Sequence, residues 1–132
     1  MKGSTQAKMT ASPQAEHIFV AGRQPIYYSS CGDGPGSLVL LHGGGIDDSG
    51  LSWDTCRDKL AARQIVICPD LPGFGRSFPL TQPCTARFLI NCVCQLIDKG
   101  IARPVSLVGL SLGGLVAMGC ALGRPGLIRS LI

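Results

Sequence analysis

Acids and histidines run out early in this chain. All eight Asp and Glu lie at or before Asp98, the two histidines are His17 and His42, and residues 99–132 hold none of these types. Chemistry that needs an acid or a histidine in that segment is therefore excluded from it. Charge is scarce throughout: Asp, Glu, Lys and Arg make up 15% of the chain, and 12 basic against 8 acidic residues leave a scattered net +4. That balance is too weak for a nucleic-acid groove. The 45% apolar share speaks against a disordered or charged scaffold. There is no Cys-x-x-Cys, and two histidines offer little to a zinc site. The seven cysteines are irregularly spaced behind an N-terminus with no secretory apolar region, so no disulfide framework is expected. They read as small buried residues of a chain in a reducing, cytoplasmic compartment.

What is present suits one compact domain. Residues 1–15 form a polar segment with Lys2 and Lys8 but no acid before Glu16, and are expected to be a disordered leader to a domain at 16–132. His17–Val20 and Gln24–Tyr28 are short β-rich runs split by Gly22, a hairpin or a pair of edge strands. Leu38–Leu41, Ile65–Cys68 and Val105–Val108 are continuous apolar runs, as expected of strands buried on both faces. Between the first two, Ser52 is a candidate N-cap for a helix running to about Ala62. Phe88, Leu89, Cys92, Val93, Leu96 and Ile97 form one helical stripe that ends at Lys99 and Gly100. A further helix is expected from Leu112 to about Leu122, stopped by Gly123 and Pro125, and a sixth strand begins near Leu127. Strands alternating with helices predict an α/β fold with a mainly parallel sheet.

Three segments carry chemistry. Gly109-Leu110-Ser111-Leu112-Gly113 fits Gly-x-Ser-x-Gly between a strand and a helix. A sharp strand-to-helix turn needs glycines so that the backbone can pass, and it lifts the serine hydroxyl to the carboxyl end of the sheet. The Leu112 N–H would then sit at a helix N-terminus, where partial positive charge favours an oxyanion. His42-Gly43-Gly44-Gly45 directly follows a buried strand, and bare backbone there can donate an N–H to a carbonyl oxygen. Asp70–Ser77 follows the next strand and reads by itself as a βα loop turning at Pro72-Gly73.

In this order the three segments resemble the α/β-hydrolase fold family, over about residues 17–132. Leu38–Gly45 is similar to the family's third strand and oxyanion loop, Asp70–Ser77 to the loop after its fourth strand, and Val105–Gly114 to its fifth strand and nucleophile elbow. The resemblance implies a sheet of the α/β-hydrolase type, truncated within the sixth strand. It implies Ser111 as nucleophile and the Leu112 N–H as one oxyanion donor. The other donor is expected from Gly44, with Gly43 second. His42, Gly45, Gly109 and Gly113 would be structural parts of the motifs. A serine at the elbow separates the chain from members with an aspartate nucleophile. The run His42-Gly-Gly-Gly with Ser49-Gly-Leu-Ser-Trp53 also looks like carbon–carbon bond hydrolases of aromatic-ring degradation, although Ile46-Asp47-Asp48 replaces an expected Pro-Gly. The implied reaction is hydrolysis of a small-molecule ester, or of a related acyl or C–C bond, through an acyl intermediate on Ser111, with no cofactor, metal or nucleic acid.

The family's triad runs Ser, then Asp or Glu, then His, and no such acid or base follows Ser111. A serine hydroxyl without a positioned base is a weak nucleophile. The expectation is thus the N-terminal half of a serine hydrolase, inactive by itself, with His42 structural. The alternative is a non-catalytic fragment or interaction remnant that self-associates through an open sheet edge. Two rivals are weaker. Residues 104–123 are uncharged and long enough to span a bilayer, but a strand plus a helix explains them. The glycine spacing after Val108 does not match Gly-x-Gly-x-x-Gly, and no Gly-Lys-Ser/Thr follows, which argues against a nucleotide site.

Overall fold

The computed structural model describes residues 13–132. Most of the expected leader, residues 1–12, lies outside the described residues. Six strands form one sheet in the order β1-β2-β4-β3-β5-β6. The strands are β1 (Ala15–Ala21), β2 (Gln24–Cys31), β3 (Ser37–Leu41), β4 (Ile65–Pro69), β5 (Val105–Gly109) and β6 (Ile128–Leu131). β1 and β2 are an antiparallel hairpin closed at Gly22, whose φ of 65° the two-residue turn requires. β2 joins β4 antiparallel, and β4, β3, β5 and β6 run parallel. The mainly parallel α/β sheet expected from the sequence is what forms.

The apolar runs are buried because helices cover both faces. All five residues of β3 are buried. Its Val39 and Leu41 point into a core with Ile67, Leu107 and the inner faces of α3 (Ala86–Gln95) and α4 (Leu112–Gly123). Its Leu38 and Leu40 point the other way, to Val66, Cys68 and Ala61, with Trp53 and Leu60 packed against them. That alternation is the period-2 geometry of a strand. The stripe read at Phe88–Ile97 is the buried face of α3, N-capped by Thr85, whose side chain accepts the Phe88 N–H at 3.2 Å. A π-type turn, Leu96–Gly100, continues it.

The helix expected from Ser52 to Ala62 is different. Two short helices occupy the region, α1 (Ser49–Trp53) and α2 (Arg57–Leu60). The N-cap of α1 is Asp48, whose carboxylate accepts the Leu51 N–H at 2.9 Å. Ser52 is inside α1 and donates its hydroxyl to Asp47 Oδ2 at 2.6 Å. A carboxylate at 48 starts the helix earlier than a hydroxyl at 52 could, and Cys56, with φ −121°, interrupts it.

From β3 the chain passes through α1 and α2 to β4, then through α3 on the opposite face to β5, on the other side of β3. The connections therefore leave β3 and β5 in opposite directions. The carboxyl ends of those two strands meet at the topological switch point, where open α/β sheets place their ligands.

Candidate active site

β5 ends at Gly109 and α4 starts at Leu112, which leaves two residues for the reversal. Ser111 makes the turn with φ 52° and ψ −113°, the one positive φ of a non-glycine among the described residues. Such a conformation costs on the order of 1–3 kcal/mol and is held by its surroundings. The surroundings are backbone on backbone. A Cβ on Gly109 would overlap the Gly113 carbonyl oxygen and lie 2.6 Å from the Gly114 Cα. A Cβ on Gly113 would overlap the Leu41 carbonyl oxygen at the end of β3. The Leu110 N–H donates to that same Leu41 oxygen at 3.0 Å, so the elbow is pinned to the neighbouring strand. Ser111 is thereby exposed at the carboxyl edge of the sheet.

The glycine loop after β3 faces this turn. A Cβ on Gly43 would lie 3.7 Å from the Ser111 Cβ, and one on Gly44 would lie 3.4 Å from Leu112 Cδ2. Gly43, the second choice for an oxyanion donor, has its N–H committed to Asp47 Oδ2 at 2.8 Å. Among the described residues neither the Gly44 N–H nor the Leu112 N–H has an acceptor. Gly45, with φ 72°, turns the loop back toward α1.

Asp47 holds that loop and was not singled out from the sequence. Its carboxylate accepts the Gly43 N–H, the Asp48 N–H at 2.9 Å and the Ser52 hydroxyl. Burial pushes the carboxyl up, but the Ser52 and backbone hydrogen bonds outweigh it and hold it below the usual carboxylate range. Asp70 is a second such anchor: buried after β4, it accepts the Ser49 N–H at 2.9 Å and the Arg76 N–H at 3.0 Å. Ser77 is fully buried, donating to the Asp70 carbonyl at 2.6 Å and accepting the Tyr27 N–H at 2.9 Å. The loop after β4 is therefore a brace, tying α1 and β2 to the site. The only sequence signal for these anchors was carboxylates beside glycine turns.

His42 is fully buried beneath the loop. Its Nε2 accepts the Leu71 N–H at 2.9 Å, and its Nδ1 lies 2.6 Å from the Gly43 carbonyl oxygen. An amide donor on one side and a carbonyl acceptor on the other set the tautomer, with the proton on Nδ1. Phe74 closes edge-on over the ring, centroids 5.3 Å apart. No nitrogen of His42 is left to take a proton from Ser111. His17 is remote, on edge strand β1, with Nε2 2.8 Å from Ser30 Oγ and its ring stacked on Tyr28. Among the described residues no side chain hydrogen-bonds to Ser111 Oγ, and no group of three His, Cys, Asp or Glu is placed to hold a metal. A polar cleft of about 440 Å³ between α1 and β2 lies apart from the serine, and its Glu16–Arg76 and Asp54–Arg57 pairs are closed at 2.9 and 2.6 Å.

A doubly wound sheet with a strained serine between two glycines at a strand-to-helix turn is the architecture of the nucleophile-elbow fold class. The comparisons agree. The model of the alpha/beta hydrolase family matches residues 38–132, and the chain belongs to that family. Among curated proteins it is similar to the pimeloyl-[acyl-carrier protein] methyl ester esterase of Yersinia pestis, 37% identical over 107 residues, covering 81% of this chain and 39% of that protein. It is 35% identical over 106 residues to the esterase of the same name from Chromobacterium violaceum, covering 80% and 39%. Of solved structures, a thioesterase domain from the curacin biosynthetic pathway matches with TM-score 0.78 and 29% identity, over 91% of this chain and 43% of that one. The 2-hydroxy-6-oxo-6-phenylhexa-2,4-dienoate hydrolase of Rhodococcus sp. strain RHA1 matches with TM-score 0.79 and 26% identity, over 90% and 45%. The chain thus spans about two-fifths of the length of its curated relatives. The stretch 104–123 divides into β5 and α4, and no described helix is long and apolar enough to cross a membrane.

Proposed function

We propose that this chain carries the nucleophile and oxyanion half of a serine esterase site. The observation that carries this reading is Ser111 held at positive φ between two glycines that admit no Cβ, beside two unpaired backbone N–H groups. Ser111 Oγ bonds to the carbonyl carbon of an ester, and the carbonyl π electrons pass to oxygen. The Leu112 and Gly44 N–H groups receive that oxyanion, a contribution of about 3 kcal/mol per donor in acyl transfer. Collapse expels the alcohol and leaves an acyl-serine, which water then hydrolyses. Ester is preferred to a C–C bond because relatives at 35–37% identity are named methyl ester esterases, whereas the dienoate hydrolase stands at 26%.

The proton on Ser111 needs a base, a factor of roughly 10²–10⁴ in rate. His42 is committed to Leu71 and Gly43, and no Asp, Glu or His follows Ser111. The base and its acid therefore come from residues outside these 132. The surface that would receive them is apolar and open: Leu115, Met118 and Leu122 line one exposed side of α4, and Leu131 is exposed on edge strand β6. In a free chain that edge would pair with a second copy, and a monomeric sedimentation coefficient at every concentration would dismiss such pairing.

The test has two arms. The 132-residue chain should hydrolyse a nitrophenyl ester no faster than its Ser111→Ala variant. Residues 13–132 fused to the non-matching remainder of the Yersinia pestis esterase should gain hydrolysis that Ser111→Ala abolishes. A folded fusion whose activity ignores Ser111 would overturn the reading.

A further inference from the structure

We propose that the polar cleft between α1 and β2 binds a small neutral polyol of the sugar class. The cleft measures about 440 Å³, inside the range of small-molecule sites. Strand register puts Ser29 on its floor. Ser29 stands opposite Glu16 of β1 and two residues from Tyr27, and all three share one face of the hairpin and line the cleft. That face is the one α1 and α2 cover, since Cys31, two residues further on, joins Leu38 and Leu40 in the core beneath them. Ser29 is only 6% exposed, yet among the described residues its hydroxyl has no hydrogen-bond partner. Buried hydroxyls are ordinarily paired, so a bare one on the floor of a cleft points to a ligand.

The cleft is also kept open. A Cβ on Gly50 would lie 3.3 Å from Asp48 Oδ1 and 3.4 Å from Asp54 Oδ2, so glycine leaves the space between two carboxylates free. Neither carboxylate is used up. Asp48 gives one oxygen to the Leu51 N–H and Asp54 gives one to Arg57, and the second oxygen of each has no partner among the described residues.

The lining selects against ions. Four carboxylates, Glu16, Asp48, Asp54 and Asp70, stand against the guanidiniums of Arg57 and Arg76, which disfavours an anion. An ammonium has donors alone, so it would serve the carboxylates and leave the guanidinium side without an acceptor. Among the described residues no group of three His, Cys, Asp or Glu is placed for a metal. A hydroxyl does both: it donates to Asp48 and Asp54 in charge-assisted hydrogen bonds and accepts from Ser29 and Arg57. Several hydroxyls on one small frame satisfy these groups together and add no charge. No residue of the serine turn or of the glycine loop lines the cleft, so the site is independent of the role given to Ser111.

The isotopically labelled chain is titrated with D-glucose, D-ribose, myo-inositol and sucrose while its amide spectrum is recorded, with sodium acetate and ethylammonium chloride as ionic controls. The expected result is a saturable shift at Ser29, Ser49, Gly50 and Gly75 with at least one polyol and with neither salt. Ser29→Ala removes a hydroxyl that nothing in the protein uses, so this variant should fold as the parent does and bind about fivefold more weakly. Gly50→Leu should fill the space between Asp48 and Asp54 and abolish binding, with α1 retained because leucine is the better helix former. Parent protein that shows no saturable shift with any polyol, shifts only at other residues, or saturates with acetate or ethylammonium instead would overturn the proposal. Unchanged affinity in folded Ser29→Ala would place the ligand elsewhere and overturn it too.

Discussion

Replacing His42 by alanine tests whether this histidine is the frame of the site or its base. The ring is fully buried, and the Leu71 N–H beside it has His42 Nε2 as its partner. His42→Ala leaves that donor unsatisfied in a dry interior, at about 1–3 kcal/mol, and takes a hydrogen bond from the Gly43 carbonyl, at about 1 kcal/mol. The vacated space beside Phe74 adds on the order of 1–2 kcal/mol. These contributions overlap, so the expected loss is about 4 kcal/mol, a large part of the 5–15 kcal/mol typical of a domain. For a chain of this size that lowers the melting temperature by roughly 15 °C. Urea titration and thermal melts followed by circular dichroism read the effect. A variant within about 1 kcal/mol of the parent would refute the reasoning, since it would mean that neither ring nitrogen carries structural weight.

Two further outcomes follow from the same geometry. Ser111→Gly removes the side chain from a left-handed backbone, so the relief of strain should exceed the added chain entropy and raise stability by about 1 kcal/mol, measured by urea titration; a loss would show that the turn is unstrained. The Asp47 carboxyl is held below its ordinary value near 3.8, so its stabilisation is present above that value and is lost as pH falls through the lower, folded-state one. The stability gap between the parent and Asp47→Asn should therefore be widest near neutrality and close below about pH 4, with amide exchange at Gly43 accelerating in step; a gap that does not change with pH would refute this.

By itself the sequence determined the strands, the motifs and the sheet class. Leu38–Leu41 and Val105–Val108 have no polar residue to expose except Ser106, and Gly-x-Ser-x-Gly announces its own turn. Those signals are local, written in neighbours along the chain. From the sequence Gly44 came before Gly43 as the expected donor, but the reason was not legible, because the two are chemically identical until Asp47 takes the Gly43 N–H. The helix start at Asp48 and the partners that hold His42 in place were also decided only on folding. Each of them depends on which hydrogen-bond partner arrives from a distant segment, and composition and periodicity do not carry that. The early end of acids and histidines was visible at once, and with the motif order it already implied a triad without its later members. What the fold alone decided is that Ser111 stands exposed beside two unpaired N–H groups while both histidines are hydrogen-bonded elsewhere, because those partners come from segments far apart in the chain.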